Sequence, residues 1–324
     1  MSKFFKLKYT NEAEWHSLRR DGLGGSDAAT VLNFNKYKSD YVLFLEKTGK
    51  IEPENLVNNE AVFWGNVHEP VLAEEFARRH PEYKVRRENH VLISKEHPYM
   101  FANLDRVITD TQGNKGILEI KTASEYMQGD WAEEVPLYYY PQMLHYMIVT
   151  GYTFGYFVVL IGGNKYKEYR IEFNEQDAKL LIDAEAHFWN NHVLKDIEPP
   201  INVTTQNEST LKVFSKLYNA PNDELMQVSG TQEKEALAAI KELSSAKEAI
   251  KKAEEIKKEC EAKLKGLIAN NKGIQAGRHK VTWVRTQASR FNSTKFKEAH
   301  ADLYKEFSET SPKDMGLRFS EIKA

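Results

Sequence analysis

Apolar residues recur along this chain at two different intervals. Between Asn59 and His80, Val62, Gly65, Glu69, Leu72 and Phe76 follow one another at steps of three or four, the period of a helix with one inward stripe. Ser39 to Lys47 repeats that period through Tyr41, Phe44 and Leu45 and is closed by Gly49. Trp15 and Leu18 begin a shorter helix, with Thr10 as candidate cap and Asp21-Gly22 as its end. Tyr83–Arg87, His90–Ile93, Thr153–Ile161 and Lys167–Phe173 read instead as strands. Pro141 opens a helix that Gly151 ends, and Asn174–Lys195 forms another, stopping before Pro199-Pro200. Strands bracketed by helices predict a mixed α/β domain over the first ~200 residues.

The centre of this pattern runs from Phe101 to Lys121. Two apolar-rich runs flank a turn at Gln112-Gly113-Asn114 and predict a hairpin. Strand alternation puts Glu119 and Lys121 on one face, and the hairpin brings Asp105 towards them. Two carboxylates and an ammonium suit a hard divalent cation and a water to be oriented or deprotonated, the parts that phosphodiester cleavage needs. The tripeptide Glu-Ile-Lys is itself weak: it recurs at Glu255–Lys257 in a charged helical run and at Glu321–Lys323. Glu119–Lys121 differs in sitting on a predicted buried strand downstream of an Asp. Glu69 lies on the inward stripe of its helix, where a carboxylate is costly unless paired or metal-bound. A kink or restart at Pro70 would move it to a polar end instead.

Two further groups are candidates. Leu23-Gly24-Gly25-Ser26-Asp27 sets glycines and a hydroxyl before a helix, an arrangement that can approach a phosphate, with Arg19, Arg20 and Lys36 to supply charge. An ordinary cap after a glycine turn, with solvated basic residues, accounts for the same residues. Gln142 and Tyr146, four apart on one helix face, could bond a metal-site carboxylate or a phosphate, or could simply be core.

The length of 324 residues with 41% hydrophobic content allows one sizeable folded unit plus an appended region. The net charge of -2 conceals any local basic surface. A single cysteine, Cys260, excludes an intrachain disulfide framework and a cysteine zinc site. No apolar run reaches the ~18 residues of a membrane span, and Met1 to Lys8 lacks a signal peptide's apolar stretch, so a soluble, intracellular protein is expected.

Glu69, Asp105, Glu119-Ile120-Lys121 and Gln142-x-x-x-Tyr146 occur in the order found in PD-(D/E)XK nucleases, particularly the branch with a Gln-x-x-x-Tyr motif. With the Trp15…Arg19…Gly25-Ser26-Asp27-Ala28 opening, the chain resembles the phage-type λ exonuclease or YqaJ-like viral recombinase family over roughly Trp15 to Pro200. Leu104 stands where proline precedes the acid in that pattern, a departure that removes no ligand.

The resemblance implies an α/β, restriction-endonuclease-like core with a central mixed β-sheet flanked by helices, spanning residues 1–205. It implies a Mg²⁺-dependent exonuclease, with one or two ions and Mn²⁺ able to substitute, acting on linear double-stranded DNA from the 5′ end. Glu69, Asp105, Glu119 and the Ile120 carbonyl would hold metal, and Lys121 would position water. Gln142 and Tyr146 would support the site or touch DNA. Arg19 or Arg20, Ser26 and Lys36 would meet the 5′-phosphate. By the same resemblance the partners are DNA ends, a single-strand annealing protein and further copies of the chain, in the cytoplasm of a bacterial host carrying a phage or prophage. An endonuclease or nickase on the same core, or a catalytically silent DNA-binding or assembly module, are the competing expectations.

Residues 206–324 read as a helical coiled-coil and small α+β C-terminal region. From Thr231 to Ile268, Leu243, Ala246, Ile250, Ala253, Cys260, Leu264 and Leu267 mark a seam that Lys257 interrupts, in a long helix or helical hairpin with Cys260 as packing. Lys280–Arg285 alternates as a strand and Phe296–Phe307 suggests a helix. Arg278, His279, Lys280, Arg285 and Arg290, interleaved with Trp283 and Phe291, could contact DNA, or form an ordinary exposed basic edge.

Overall fold

A computed structural model describes residues 2–9, 11–56, 58–201, 203, 208–218, 225–287, 289–308 and 317. The chain divides into two compact units, Met1–Tyr218 and Asn219–Ala324.

The first unit opens with strand β1 (Phe4–Leu7), helix α1 (Glu12–Arg20), the short strand β2 (Leu23–Gly24), α2 (Gly25–Val31), α3 (Asp40–Lys47) and α4 (Glu60–Arg79). Each of three of these helices starts where an Asn or Ser oxygen accepts a backbone N–H. Asn11 caps α1 through Glu14, Ser39 caps α3 through Val42, and Asn59 caps α4 through Val62. The Thr10 expected as the first cap lies outside the described residues, and Asn11 does that work. Helix α4 runs unbroken through Pro70, so no restart separates Glu69 from the rest of its helix.

Strands β3 (Lys84–Arg87), β4 (Val91–Ser94), β5 (Met100–Ala102), β6 (Arg106–Thr109) and β7 (Lys115–Ala123) follow. Helix α5 (Tyr140–Thr150), strands β8 (Phe154–Ile161) and β9 (Lys165–Glu172), and helices α6 (Glu175–His187) and α7 (Ser209–Leu217) complete the unit. The main sheet has the order β3-β6-β7-β8-β9, with β7 and β8 parallel and the other pairs antiparallel. A smaller sheet has the order β1-β4-β5-β2. The expected hairpin is present as β6 and β7, whose turn is tied by Asp110 accepting from the Gln112 and Asn114 N–H groups. Phe101 and Ala102 belong to the other sheet, however. The chain leaves β5, crosses at Asn103–Asp105 and only then joins β6, because Asp105 turns its side chain onto the main sheet's backbone instead of extending a strand.

The two faces of the main sheet bury different layers. Leu118, Ile120, Ile108 and Val158 meet Leu72, Ala73 and Phe76 of α4. Ile117, Phe157, Val159 and Ile161 meet Met143, Tyr146 and Met147 of α5. Helix α5 is buried almost all round, since Leu144 also packs on Ala28 of α2 and on Ala178 and Leu181 of α6. An all-round apolar helix of this kind is a core element rather than a surface one. It ends at Gly151, whose φ of 73° is a left-handed cap.

The helix expected from Asn174 to Lys195 is α-helical only to His187. A π-helical turn covers Phe188–Val193 and seats Phe188 and Trp189, adjacent in sequence, in one apolar cluster with Phe44. Helix α7 belongs to this unit: the Ser39 N–H donates to Ser209 Oγ at 2.9 Å, and Ser39 and Thr210 share a buried 2.7 Å hydroxyl contact. The division falls after Tyr218, where the expected boundary was 205/206.

The second unit contains α8 (Gly230–Ile268), the hairpin β10 (Gly273–Ala276) and β11 (His279–Thr282), α9 (Ser293–Ala299) and α10 (Ala301–Glu306). Helix α8 is one continuous helix. Its seam is open rather than packed: Ile250 and Leu267 are 59% and 69% exposed, and Cys260 is exposed too. The expected helix at Phe296–Phe307 is two short ones that meet at His300.

Among the described residues no helix is long and apolar enough to cross a membrane.

Helices α2 and α5 approach closely because Gly25 lies on the Tyr146 ring, where an added methyl would collide with the ring atoms. Gly25→Ala is therefore expected to cost roughly 1–3 kcal/mol by overpacking. Chemical denaturation measures this, and an unchanged midpoint would show that the ring has room to move.

Candidate functional site

Strand β6 begins at Arg106, paired with Leu118, while β7 continues to Ala123. Along an antiparallel ladder a residue's N–H and C=O leave the same edge. Ile120 therefore presents both groups where β6 has ended. Asp105 fills the gap: its Oδ2 accepts the Ile120 N–H at 2.9 Å. The Ile120 carbonyl leaves the strand on that same edge.

Glu119, on the α5 face, is buried. Its Oε1 accepts from Lys121 Nζ at 2.8 Å and from Gln142 Nε2 at 2.6 Å, and Gln142 Nε2 also donates to the Tyr146 hydroxyl at 3.0 Å. Both amide hydrogens of Gln142 are thereby used, so the hydrogen on the Tyr146 hydroxyl can point elsewhere. Glu119 Oε2 is buried without a hydrogen-bond partner. Burial, reinforced by the Glu119 charge, pushes the Asp105 carboxyl up to about 8. Burial likewise raises Glu119, with Glu69 adding to the effect and Lys121 opposing it. Lys121 is raised as well, which for a lysine favours the charged form: burial disfavours its charge, but Glu119 and Asp105 outweigh burial. Its ammonium also sits over the Tyr139 ring, 5.0 Å from the centroid.

Glu69 comes from α4, across the sheet from Glu119. It acts electrostatically on both Asp105 and Glu119. Its carboxylate, however, is taken by Arg106 Nη1, which also donates to the Asp105 carbonyl at 2.7 Å. Among the described residues, no three His, Cys, Asp or Glu side chains stand grouped as a ready-made ion cage. Arg106 was not singled out by sequence reasoning, although alternation offered the signal. Being adjacent to Asp105, and of the same parity as Leu118 across the ladder, it falls on the α4 face.

A cavity of about 190 Å³ is lined by Asp105, Glu119, Gln142 and Tyr146 together with Arg19 and Ser26. Arg19 Nη2 donates to Ser26 Oγ at 2.9 Å. Of the two adjacent arginines it is Arg19 that reaches the cavity, whereas Arg20 pairs with Glu52 at 3.3 Å. Lys36 is engaged elsewhere, 3.3 Å from Asp130 and over the Tyr138 ring.

Two supporting pairs also escaped sequence reasoning. Lys47, only 6% exposed, directs all three of its donors inward: to Asp27 Oδ2 at 2.8 Å, the Arg19 carbonyl at 2.6 Å and the Gly22 carbonyl at 2.7 Å. Burial alone would raise Asp27, but Lys47 and Arg19 overcome it and hold that carboxyl far below the usual range. Asp27 Oδ2 also accepts the Gly24 N–H at 3.0 Å. The backbone at Arg19 and at Gly22 is thus tied to one ammonium. In α5, fully buried His145 lies 2.8 Å from Glu185 through Nδ1 and 3.0 Å from the Phe101 carbonyl through Nε2. A carbonyl only accepts, so Nε2 carries a hydrogen. Burial works against the imidazolium, but Glu185 outweighs it and raises the His145 pKa. Neither pair could be matched from spacing, because each joins residues 20 or more positions apart in the chain.

The comparisons with known proteins cover this same region. A family model, the YqaJ-like viral recombinase domain, matches residues 14–153. The uncharacterized protein YqaJ of Bacillus subtilis (strain 168) is 33% identical over 294 residues, which are 90% of this chain and 89% of that protein. Protein D345L of African swine fever virus (strain Badajoz 1971 Vero-adapted) is 46% identical over 57 residues, 18% of this chain and 16% of its own length. Among solved structures, the alkaline exonuclease LHK-Exo from Laribacter hongkongensis matches with a TM-score of 0.47 and 18% identity, over 64% of this chain and 100% of that one. The identity to YqaJ, spread over nearly the full length of both proteins, shows that this chain belongs to the YqaJ-like viral recombinase family.

Proposed function

We propose that this chain is a Mg²⁺-dependent DNA exonuclease that resects linear duplex DNA from the 5′ end. The observation that carries the reading is a cavity lined both by the acids Asp105 and Glu119 and by Arg19 and Ser26. Its volume is below the roughly 300–1,000 Å³ of pockets that enclose a drug-sized molecule, which suits the terminal unit of a strand rather than a whole duplex.

The residues fit a hard divalent cation. Glu119 Oε2 is a buried carboxylate oxygen with no partner, and Asp105 is held partly protonated by burial and by its acidic neighbour. Both conditions are relieved by a cation that takes oxygen ligands. Asp105, Glu119 and the Ile120 carbonyl would hold it, with Glu69 joining if it exchanges Arg106 for the ion. The chemistry supplied by bound Mg²⁺ is Lewis-acid polarisation of the phosphoryl group and activation of water at neutral pH.

The chain's own groups divide the remaining work. Lys121, held as an ammonium by Glu119 and Asp105, would donate: it would orient the attacking water and offset charge on the phosphoryl oxygens. Gln142 fixes Glu119 Oε1 and so aims Oε2. The Tyr146 hydroxyl, kept protonated by burial, can donate to a phosphate oxygen. Arg19 and Ser26 would take the terminal 5′-phosphate, setting the scissile bond one nucleotide inward. Lys36 would have to leave Asp130 to take part. A role in phage-type homologous recombination, a single-strand annealing partner and self-association rest on the family resemblance.

Digestion of end-labelled linear duplex in Mg²⁺ is expected to release 5′ mononucleotides, and chelator should stop it. Asp105→Ala and Lys121→Ala should each lower the rate by ~10²-fold or more while leaving the circular dichroism spectrum intact. Arg19→Ala should slow 5′-phosphorylated ends more than unphosphorylated ones. Nicking of closed circular duplex would establish an endonuclease instead. Salt-dependent binding with no cleavage in Mg²⁺ or Mn²⁺ would establish a silent binding module.

A second expectation concerns pH. With its pKa raised in the fold to about 8, Asp105 binds a proton in the folded chain that the unfolded chain releases near pH 4. Its contribution is therefore fully present below the unfolded value and is lost as pH rises through about 8. Mg²⁺, competing with that proton, should raise the melting temperature more at pH 8.5 than at pH 6. Asp105→Asn should be the more stable protein at pH 8.5 without metal and should lose most of the Mg²⁺-dependent shift. An equal Mg²⁺ shift in both proteins would refute the assignment of Asp105 as ligand.

A further inference from the structure

Charge in the second unit is segregated along the chain. Between Ala262 and Lys297 there are nine lysines and arginines and no aspartate or glutamate, in a protein whose net charge is -2. That stretch contains the end of α8, the β10–β11 hairpin and the start of α9.

The hairpin has two unlike faces. Ile274 and Val281 face each other across the ladder and are half-buried, whereas Gln275 and Lys280 form the next pair with both side chains exposed. The connecting turn at Gly277, φ 57°, puts exposed Arg278 at the tip. At the base, Trp283 has the Arg285 guanidinium 4.3 Å from its ring centroid and Lys265 Nζ at 5.7 Å. Arg285 also donates to the Ala269 carbonyl at 3.1 Å, so this platform is anchored to the end of α8. Phe291 contacts Phe296 and remains 70% exposed.

We infer that the β10–β11 hairpin with its flanks is a binding surface for single-stranded DNA, separate from the cavity of the first unit. Lys263 and Lys265 pair with Glu259 and Glu261, whereas exposed Arg278 and Lys280 have no acid near them in the sequence, and such cations repel one another unless a polyanion lies across them. The mixture of exposed cations with an exposed aromatic ring matches a strand whose phosphates are neutralised and whose bases stack. Lys280 and Arg278 would meet phosphates, and Phe291 would take a base. An anionic membrane would neutralise the same charge, but the exposed Gln275–Lys280 pair is polar and does not give the hairpin the broad apolar face of an interfacial element.

The test uses the full-length chain with chelator present and a covalently closed single-stranded circle, which has no 5′ end to enter the cavity. Binding is followed by fluorescence anisotropy as a function of salt. The wild-type chain should bind this circle at least tenfold tighter than a closed duplex circle. Arg278→Gln combined with Lys280→Gln should weaken binding about tenfold or more near 0.15 M salt. It should also reduce the slope of log K against log salt by about 1.4, given roughly 0.7 per phosphate contact on a single strand. Phe291→Ala should weaken binding about tenfold with little change in slope, as loss of stacking would.

Equal binding of the duplex circle, a preference for vesicles of anionic lipid, or a double variant that binds like wild type would each overturn the inference. A chain that cleaves nothing yet binds the circle through Arg278 and Lys280 would sink the nuclease reading and support this one. A chain that digests linear duplex while the double variant still binds the circle normally would do the reverse.

Discussion

Strand β6 ceases to pair with β7 after Arg106, and the Asp105 carboxylate takes the Ile120 N–H that a longer β6 would have bonded. That substitution brings a carboxylate into the sheet's interior beside Glu119, whose second oxygen has no partner. Burial raises both acids, and the Glu119 charge raises Asp105 further. The surrounding groups answer this constraint. Lys121 and Gln142 satisfy one oxygen of Glu119, and α5 supplies Gln142 and Tyr146 from a helix buried on nearly every side. What these groups leave unsatisfied is negative and oxygen-lined.

Holding such a site requires rigid backbone around it, and the chain uses buried ion pairs to obtain it. Lys47 ties Asp27 to the carbonyls of Arg19 and Gly22, so α1, the turn before β2, α2 and α3 are joined through one ammonium. His145 joins α5 to α6 through Glu185 and to β5 through Phe101. Desolvating an ion pair is costly, and such pairs add less net stability than well-packed apolar residues would. Their value here is positional: a bonded carbonyl cannot drift, and those of Arg19 and Phe101 belong to residues that line the cavity.

Much of the first unit was legible in the sequence because its signals are local. Caps at Ser39 and Asn59, the left-handed end at Gly151, and the alternation that sets Glu119 beside Lys121 are all decided within a few residues. Long-range geometry was not legible. Nothing near Phe101 announces that it pairs in a different sheet from Val107, and nothing near Lys47 names its three acceptors. The choice between Arg19 and Arg20 turned on helix phase at the end of α1, where one side chain faces the cavity and the next faces Glu52. Helix α8 illustrates the opposite limit. Its heptad pattern is plain in the sequence, yet a pattern specifies what a face can pack against and not whether a partner is present in the same chain.

Glu69 shows how these local and long-range constraints compete. Its helical phase correctly turns it towards the sheet, and its charge is felt at both Asp105 and Glu119. Arg106, fixed on the α4 face by the same alternation that frees Asp105, reaches it first. Because Arg106 also donates to the Asp105 carbonyl, the guanidinium joins α4 to the point where the chain enters β6. Under the proposed function Glu69 would exchange Arg106 for a divalent cation, which offers more charge at one point than a guanidinium does. Drawing Glu69 onto an ion would release one of Arg106's acceptors and loosen that junction. On that proposal, engagement of Glu69 would be coupled, through one side chain, to the backbone that positions Asp105.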